Sequence, residues 1–298
     1  MALFVYNLTM LSRHSSCLFV MWCAVSLTFP TLLLPQQPPP ASAARLLLLP
    51  KRIVSGETAT LAVLDGNGRL TPGVTVDFSN GDHLVTNTTG RALFVAPLNP
   101  GIIYATIASR PTRVFTSILT PAEISSSSLR ISSAPRFASL ADRFELSGSG
   151  FCGEADANTV RVAGKPALVL ASSPAALIAL PPTDLGPGPA VVEVTCARRS
   201  TPPFSISFLA LTLDADSSPL APGEHRVLTV HVSGTGAKVP LEASNLSPKV
   251  AQLAGGNPAN VSSSGGAQNA AKFELIGLER GNFRISVRLP PTPTPLRP

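Results

Sequence analysis

Residues 146–164 read LSGSGFCGEADANTVRVAG and contain, at Gly148, Gly150 and Gly153, the G-x-G-x-x-G spacing of dinucleotide-binding loops. That fingerprint requires a strand, a glycine turn and then a helix whose N-terminus holds the pyrophosphate. No amphipathic helix begins after Gly153, because the apolar residues within 158–162 alternate with polar ones as in a strand. The stretch therefore predicts two strands joined by a tight turn, which is the local pattern of an all-β chain.

The residues around the turn also disfavour a nucleotide. Glu154 and Asp156 would repel phosphate, and residues 165–178 contain no acidic residue to bind a ribose. We expect no cofactor here. The three glycines are instead predicted to permit a tight bend or a positive φ between strands, and Phe151 is predicted to fill the core beside them.

Composition agrees with a folded chain of many short strands. The 298 residues are 44% hydrophobic and only 13% charged, and they include 30 prolines and 22 glycines. Alternating segments such as Thr58–Leu64, Val74–Phe78 and His225–Val232 end at Gly, Pro, Asn or Asp. We therefore predict an all-β fold of tandem Ig-like β-sandwich domains.

The first 44 residues predict an export segment. Arg13 is their only charged residue, the uncharged apolar run Cys17–Leu34 follows it, and Ala41 and Ala43 form an A-x-A site. This order is typical of a secretory signal peptide. The run is also long enough to cross a bilayer, so an uncleaved N-terminal anchor is the alternative. Either reading predicts an exported protein that is secreted, periplasmic or on the cell surface.

Turn-rich stretches divide the rest of the chain into three predicted β units of sandwich size. Linkers are expected at 121–128 and 198–203, and the polar, Gly- and Ser-rich residues 257–269 are expected to form a long loop. The predicted divisions are a signal peptide or anchor at 1–44, units at 45–121, 129–197 and 204–289, and an extended Pro-rich tail at 290–298.

The second unit, residues 129–197, resembles the IPT/TIG family of immunoglobulin-like domains. The resemblance is carried by FELSGSGF at Phe144–Phe151, by NTVRVAG at Asn158–Gly164, and by the later strands up to Cys196. The first unit is more loosely similar to the bacterial Ig-like repeats of invasin-type surface proteins, through LDGNGRLTPGVTVDF and TNTTGRALFVAP. These resemblances imply Ig-type sandwiches that serve as spacers, adhesive modules or docking surfaces, and they transfer no catalytic residue.

Two cysteines remain once the export segment is set aside. Cys17 and Cys23 lie within that segment, whereas Cys152 and Cys196 both lie in the second unit. In an exported chain we expect such a pair to form a disulfide. A reactive thiol or a metal ligand is the alternative, but no histidine is near either cysteine in the sequence.

No pattern of chemical residues predicts catalysis or a metal. His83, His225 and His231 form no convergent constellation, and no G-x-S-x-G elbow occurs. Asp65-x-Asn67 and Asp214-x-Asp216 lack the later ligands of a calcium loop, so an Asx turn is expected at each.

The aromatic content also bears on ligands. After residue 44 the chain keeps one Tyr, Tyr104, and no Trp, a poor supply for sugar platforms or single-stranded nucleic acid. We expect its ten Phe to be core anchors, for example Phe78, Phe94, Phe144 and Phe273. The net charge falls only from +6 to +5 when Arg13 is removed, and the charges are scattered, so no nucleic-acid partner is expected.

The sequence therefore predicts a non-enzymatic, secreted or cell-surface protein of Ig-like units that acts as a structural, adhesive or protein-docking module. The alternative is an accessory carbohydrate-binding or spacer module of an extracellular polysaccharide-processing system. Its partners would be proteins or cell-surface glycans, membrane contact would be limited to an uncleaved N-terminal segment, and a monomer is expected.

Overall fold

A computed structural model describes residues 45–108, 110–124, 128–214, 218–237, 239–254, 259–262 and 269–290. The predicted signal peptide or anchor and residues 291–298 of the predicted tail lie outside these ranges. Within them nearly all regular structure is strand, and the helical turns are two short 3₁₀ turns, η1 (Pro121–Glu123) and η2 (Ala155–Ala157). The predicted all-β fold is confirmed.

The first unit is a sandwich of two sheets. Its strands are β1 (Leu46–Leu48), β2 (Arg52–Val54), β3 (Thr58–Leu64), β4 (Thr75–Phe78), β5 (His83–Val85), β6 (Arg91–Val95), β7 (Gly101–Ile107) and β8 (Arg113–Leu119). One sheet has the order β1–β3–β6 and the other β2–β8–β7–β4–β5. Leu61 and Val63 of the first sheet pack against Val76, Ile103 and Ile118 of the second.

Strand β3 is buried on both faces, which explains the unbroken run of apolar residues at 61–64. Ala59, Leu61 and Val63 belong to the core of the first unit. Ala62 and Leu64 instead belong to a separate apolar cluster that includes residues of the second unit. The sandwich is therefore covered on its outer side along this strand.

The second unit closes around Leu146, Phe151, Val160 and Phe208. Its strands are β9 (Arg130–Ser133), β10 (Phe137–Ser139), β11 (Phe144–Ser149), β12 (Asn158–Val162), β13 (Lys165–Ser173), β14 (Ala176–Leu180), β15 (Gly188–Cys196), β16 (Arg199–Ser200) and β17 (Phe204–Asp214). Strand β13 joins its two layers, because it pairs with β12 before an irregularity at residues 169–171 and mainly with β14 after it.

The third unit adds to β17 the strands β18 (His225–Ser233), β19 (Pro240–Asn245), β20 (Ala251–Leu253), β21 (Ala259–Ser262), β22 (Asn269–Gly277) and β23 (Ile285–Arg288). It packs the sheet β17–β18–β22–β20 against the sheet β21–β19–β23. Leu228, Val230 and Val232 face the core while Val227 is exposed, so the predicted alternation of β18 is confirmed. Part of the expected 257–269 loop is instead β21, which pairs with β19.

Strand β17 belongs to two units. Its residues 204–208 pair with β15, and its residues 210–214 pair with β18. Ile206 and Phe208 accordingly lie in the second core, whereas Leu209 and Leu211 lie in the third.

Residues 198–203, which we expected to be a linker, are tied to the second unit. Arg199 and Ser200 form β16 on the end of β15, and the Thr201 hydroxyl accepts a hydrogen bond from the Val194 amide. The second and third units therefore follow each other without a free linker. The unit boundaries read from the sequence stay a prediction.

Candidate functional site

The glycines of the G-x-G-x-x-G stretch have three separate structural causes. At Gly148 the register with β9 shifts, and a Cβ added there would lie 2.1 Å from the Arg130 carbonyl oxygen. Gly150 has φ +72°, in the left-handed region that favours glycine. Gly153 has no positive φ, but an added Cβ would lie 2.0 Å from the Thr58 carbonyl oxygen. Only Gly150 therefore meets the expectation of a positive φ.

Phe151 and Gly148 are matched to each other. Phe151 is buried in the core of the second unit. A Cβ on Gly148 would approach the Cζ atom of its ring to 2.6 Å. Gly148 therefore makes room for the phenylalanine that closes this end of the sandwich.

Cys152 and Cys196 are joined by a disulfide, which links the loop after β11 to the end of β15. The Asn158 side chain supports the same loop, because it accepts from the Cys152 amide at 2.9 Å and donates to the Cys152 and Glu154 carbonyls at 2.8 and 2.9 Å. Ser172 donates a further hydrogen bond to the Cys152 carbonyl. Residues of β12, β13 and β15 thus hold the loop in place within the second unit.

This fixed loop contacts the first unit. The Thr60 hydroxyl of β3 donates to the Gly153 carbonyl at 2.8 Å and accepts from the Ala155 amide at 3.0 Å. Thr60 is buried and also bridges Ser172 of β13. Gly153, the last glycine of the G-x-G-x-x-G spacing, therefore lies at a junction between two sandwiches.

Arg91, at the start of β6, is the second element of the junction, and sequence reasoning missed it. Its side chain is only 8% exposed. Nε and Nη2 donate to the carbonyls of Leu170 and Val169 at 3.1 and 2.5 Å, and Nη1 donates to Asp156 at 3.1 Å. A buried cation is tolerated only with such partners. An isolated arginine in a strand gives no sequence signal of them.

The junction also has an apolar part and a polar edge. Leu48, Ala62 and Leu64 of the first unit pack with Leu170 and Ile178 of the second. This packing removes apolar surface from water, and the polar contacts beside it fix the register of the two units.

Charged groups follow the seam between the units. Burial raises the pKa of Glu145, and the neighbouring Lys51 of the first unit, 3.4 Å away, opposes that rise. Burial and the nearby charge of Arg288, from the third unit, lower the pKa of Arg143. The pKa of Glu145 thus depends on a charge of the first unit, and the pKa of Arg143 depends on a charge of the third unit.

A different surface has the character of a binding face. On the outward side of the β2–β8–β7–β4–β5 sheet, Tyr104 and Phe115 are cross-strand partners with ring centroids 6.5 Å apart. Tyr104 is 44% exposed, Phe115 57% and the neighbouring Ile102 58%. We call this outward side the Tyr104 face. The expectation that every Phe anchors a core is wrong for Phe115.

Phe115 faces outward because of its neighbour. The Thr116 hydroxyl is buried and donates to the Pro50 carbonyl at 2.6 Å, so a polar residue occupies the inner face of β8. The sequence of β8 places large apolar residues on both faces and has no clean alternation. For that reason the strand was not predicted. In β7, Ile102, Tyr104 and Thr106 alternate with the buried residues between them. This was the one sequence signal of the outward face.

The remaining chemical residues have local roles. His83 contacts Asp77 at 2.7 Å and His225 contacts Glu274 at 2.8 Å, both at exposed positions. Within the described part of the chain no group of three or more His, Cys, Asp or Glu is placed to hold a metal ion.

The Asx turn expected at Asp65 is confirmed, because its Oδ1 accepts from the amides of Asn67 and Arg69. Asp216 of the second expected Asx turn lies outside the described residues.

No protein-family model matches the chain, and no curated protein matches it. Among solved structures it is similar to the Bacteroides ovatus mixed-linkage glucan utilization locus protein SGBP-B in complex with a mixed-linkage heptasaccharide, at 10% identity and TM-score 0.35, over 80% of this chain and 71% of that one. The Escherichia coli adhesin FdeC matches at 14% and 0.23, over 83% and 92%. Domains 1–6 of the surface layer protein SbsC match at 14% and 0.20, over 83% and 38%. Likeness at this level transfers no ligand, assembly or activity.

Of the helices in the described ranges, none is both long and apolar enough to cross a bilayer.

Proposed function

We propose that this chain is an exported, non-enzymatic protein of tandem Ig-like units, which acts outside the cell as a rigid structural or adhesive module. The second unit is proposed to be of the IPT/TIG type, and partners are proposed to be proteins or cell-surface glycans. An accessory role in polysaccharide processing remains the alternative from the sequence.

The observation that carries the proposal is the interlocked junction between the first two units. Arg91 is buried across it and bonds backbone carbonyls of the second unit. The Ser173 hydroxyl bonds the Arg52 carbonyl at 2.6 Å in the opposite direction. Most units joined by flexible linkers move relative to each other. Hydrogen bonds donated across the junction from each unit to the other favour instead a protein whose two units keep a fixed distance and orientation.

The shared strand β17 supports the same role at the next boundary. A hinge there would require breaking the pairing of β17 with β15 or with β18. Spacers and adhesive modules gain from this stiffness, because a preorganised partner loses less conformational freedom on binding.

Distance measurements test the proposal. Spin labels carried by non-natural residues at the exposed positions Arg69 and Glu279 should give one narrow distance distribution. Arg91→Met should broaden it, because the guanidinium bonds across the first junction are lost. The exposed Arg130→Met is the matched control and should leave the distribution narrow. A broad distribution in the unmodified chain would contradict the rigid role.

The non-enzymatic and exported parts need their own measurements. Protease treatment of intact producing cells, or analysis of their medium, should find the chain outside the cytoplasm. Hydrolase activity of the purified chain that one point mutation abolishes would refute the non-enzymatic part.

A further inference from the structure

We propose that the Tyr104 face binds an anionic polysaccharide, with Tyr104 and Phe115 as a platform for sugar rings and Arg52 and Arg113 as partners for its acidic groups. This inference goes beyond the rigid display role, since it assigns a binding site and a ligand class to one face of the first unit.

Exposed apolar side chains form the platform. Ile102, Tyr104 and Phe115 are adjacent on one outward sheet face, and each is more than two-fifths exposed. Covering such side chains with a ligand removes apolar surface from water, which favours binding. Single exposed apolar residues are ordinary, but a grouped patch marks an interaction surface. Tyrosine and arginine are also the residues that dominate binding surfaces.

Two arginines lie beside the platform. Arg113 precedes Phe115 by two residues on β8, and Arg52 is paired with Ser117, two residues after it. The two arginines therefore flank the platform, about 13 Å apart along the strand direction. Neither forms an ion pair with a carboxylate of the described residues. Asp77 lies on the same face and contacts His83. With two arginines and one carboxylate, the face has a net positive charge.

The polar rows beside the rings favour a sugar chain over a protein. Asp77, His83 and Thr106 lie in one cross-strand row, and Ser117 lies on the other side of the ring pair. A sugar chain has apolar C–H faces edged by hydroxyl groups, which fits rings bordered by donors and acceptors. A protein hot spot would instead need a wider apolar centre sealed from water.

The same charges disfavour the other occupants. A second copy of this face would bring Arg52 and Arg113 against their equivalents, and like charges placed together are unfavourable. Nucleic acid is typically held by a groove that neutralises many phosphates, whereas this face offers two free arginines and a carboxylate. Guanidinium groups bind carboxylates in a bidentate manner. A polysaccharide bearing uronic acids therefore fits best.

Binding to polygalacturonate or alginate tests the inference, with neutral dextran of similar length as the comparison. We expect the full exported chain to bind the polyuronates in low salt and to bind dextran at least about tenfold more weakly. Phe115→Ala and Tyr104→Ala should each weaken polyuronate binding about tenfold. Arg113→Gln should weaken it and reduce its dependence on salt.

Matched variants separate the site from general effects. Val227→Ala, at an exposed position of the third unit, and Arg69→Gln, at an exposed position of the first, should bind as the unmodified chain does. Phe115→Tyr should retain binding, which shows that a ring is needed at this position. Thermal unfolding of each variant confirms that it is folded, as expected for exposed positions.

The outcomes that overturn the inference are distinct. They are equal binding of dextran and polyuronates, no effect of the Tyr104 and Phe115 variants, or tighter binding to single-stranded DNA or an acidic peptide than to either polyuronate. None of these outcomes alters the distance measurement that tests the rigid role, so the two proposals fail separately.

Discussion

At the scale of single residues, Gly153 shows how a backbone contact can select an amino acid without a special φ. The carbonyl of Thr58 lies where its Cβ would be, so any other residue would push the first two units apart. The glycine lies in the loop of one unit, yet the atoms that exclude a side chain belong to the other.

Gly153→Ala should therefore destabilise the protein by about 1–3 kcal/mol, the usual cost of overpacking. The hydrogen bonds between Thr60 and the loop should weaken with it. Denaturant unfolding measures the loss. Gly186→Ala is the control, because an added Cβ there meets nothing within 4 Å. Equal stability of the two variants would mean that the junction opens without cost.

Glu145 gives a prediction about pH. Burial raises its pKa, so the folded chain binds more protons than the unfolded chain between the ordinary pKa and the raised one. The free energy of unfolding must then fall as pH rises through that interval. This contribution is fully present below the ordinary pKa and is lost above the raised one.

Glu145→Gln removes this titration. The stability of the variant relative to the unmodified chain should therefore increase from acidic to neutral pH, as measured by denaturant unfolding at several pH values. In the chain that keeps Glu145, Lys51→Met should make the free energy of unfolding fall more steeply with rising pH. The reason is that Lys51 partly compensates the charge of the Glu145 carboxylate. A relative stability that is constant with pH would contradict the cause given for the shift.

At the scale of elements, the strands predicted well were those with a clean pattern. Thr58–Leu64 was predicted with the bounds of β3, and the predicted alternation of His225–Val232 is found in β18. Strand β8 was not predicted because the polar Thr116 is buried and the apolar Phe115 is exposed, which is the reverse of the usual pattern. That reversal depends on the Pro50 carbonyl, a partner 66 residues away in the chain.

The candidate sites divide in the same way. The Cys152–Cys196 pair followed from the cysteine count, since local composition was enough to propose it. The contacts of Arg91 and the pairing of Tyr104 with Phe115 depend on which strands meet. Such tertiary partners leave no periodicity in the sequence.

The disulfide ties together the loop that carries the junction. It closes a segment with a sequence separation of 44, for which the chain-entropy model gives roughly 4 kcal/mol of stabilisation. Cys152→Ala with Cys196→Ala should lose most of that stability in denaturant unfolding. The unmodified chain with reductant should match the double variant, and reductant should not affect the variant itself. A double variant as stable as the oxidised chain would contradict this role.

At the scale of the whole molecule, strand β17 makes two cores depend on each other. Phe208 packs edge-on against Phe144 in the second core, while the next residue, Leu209, is buried in the third. No sequence signal marks this sharing, because β17 reads as one apolar strand and its partners come from different units. A division into separate units from sequence therefore hides the coupling.

Phe208→Ala should accordingly weaken both units. The lost ring should cost about 3–5 kcal/mol, and native-state hydrogen exchange should show reduced protection in β15 and also in β18. Val76→Ala, in the far sheet of the first unit, is the buried control and should leave the protection of β18 unchanged. Loss of protection confined to β15 would mean that the two halves of β17 open independently, and the shared strand would then not stiffen the chain.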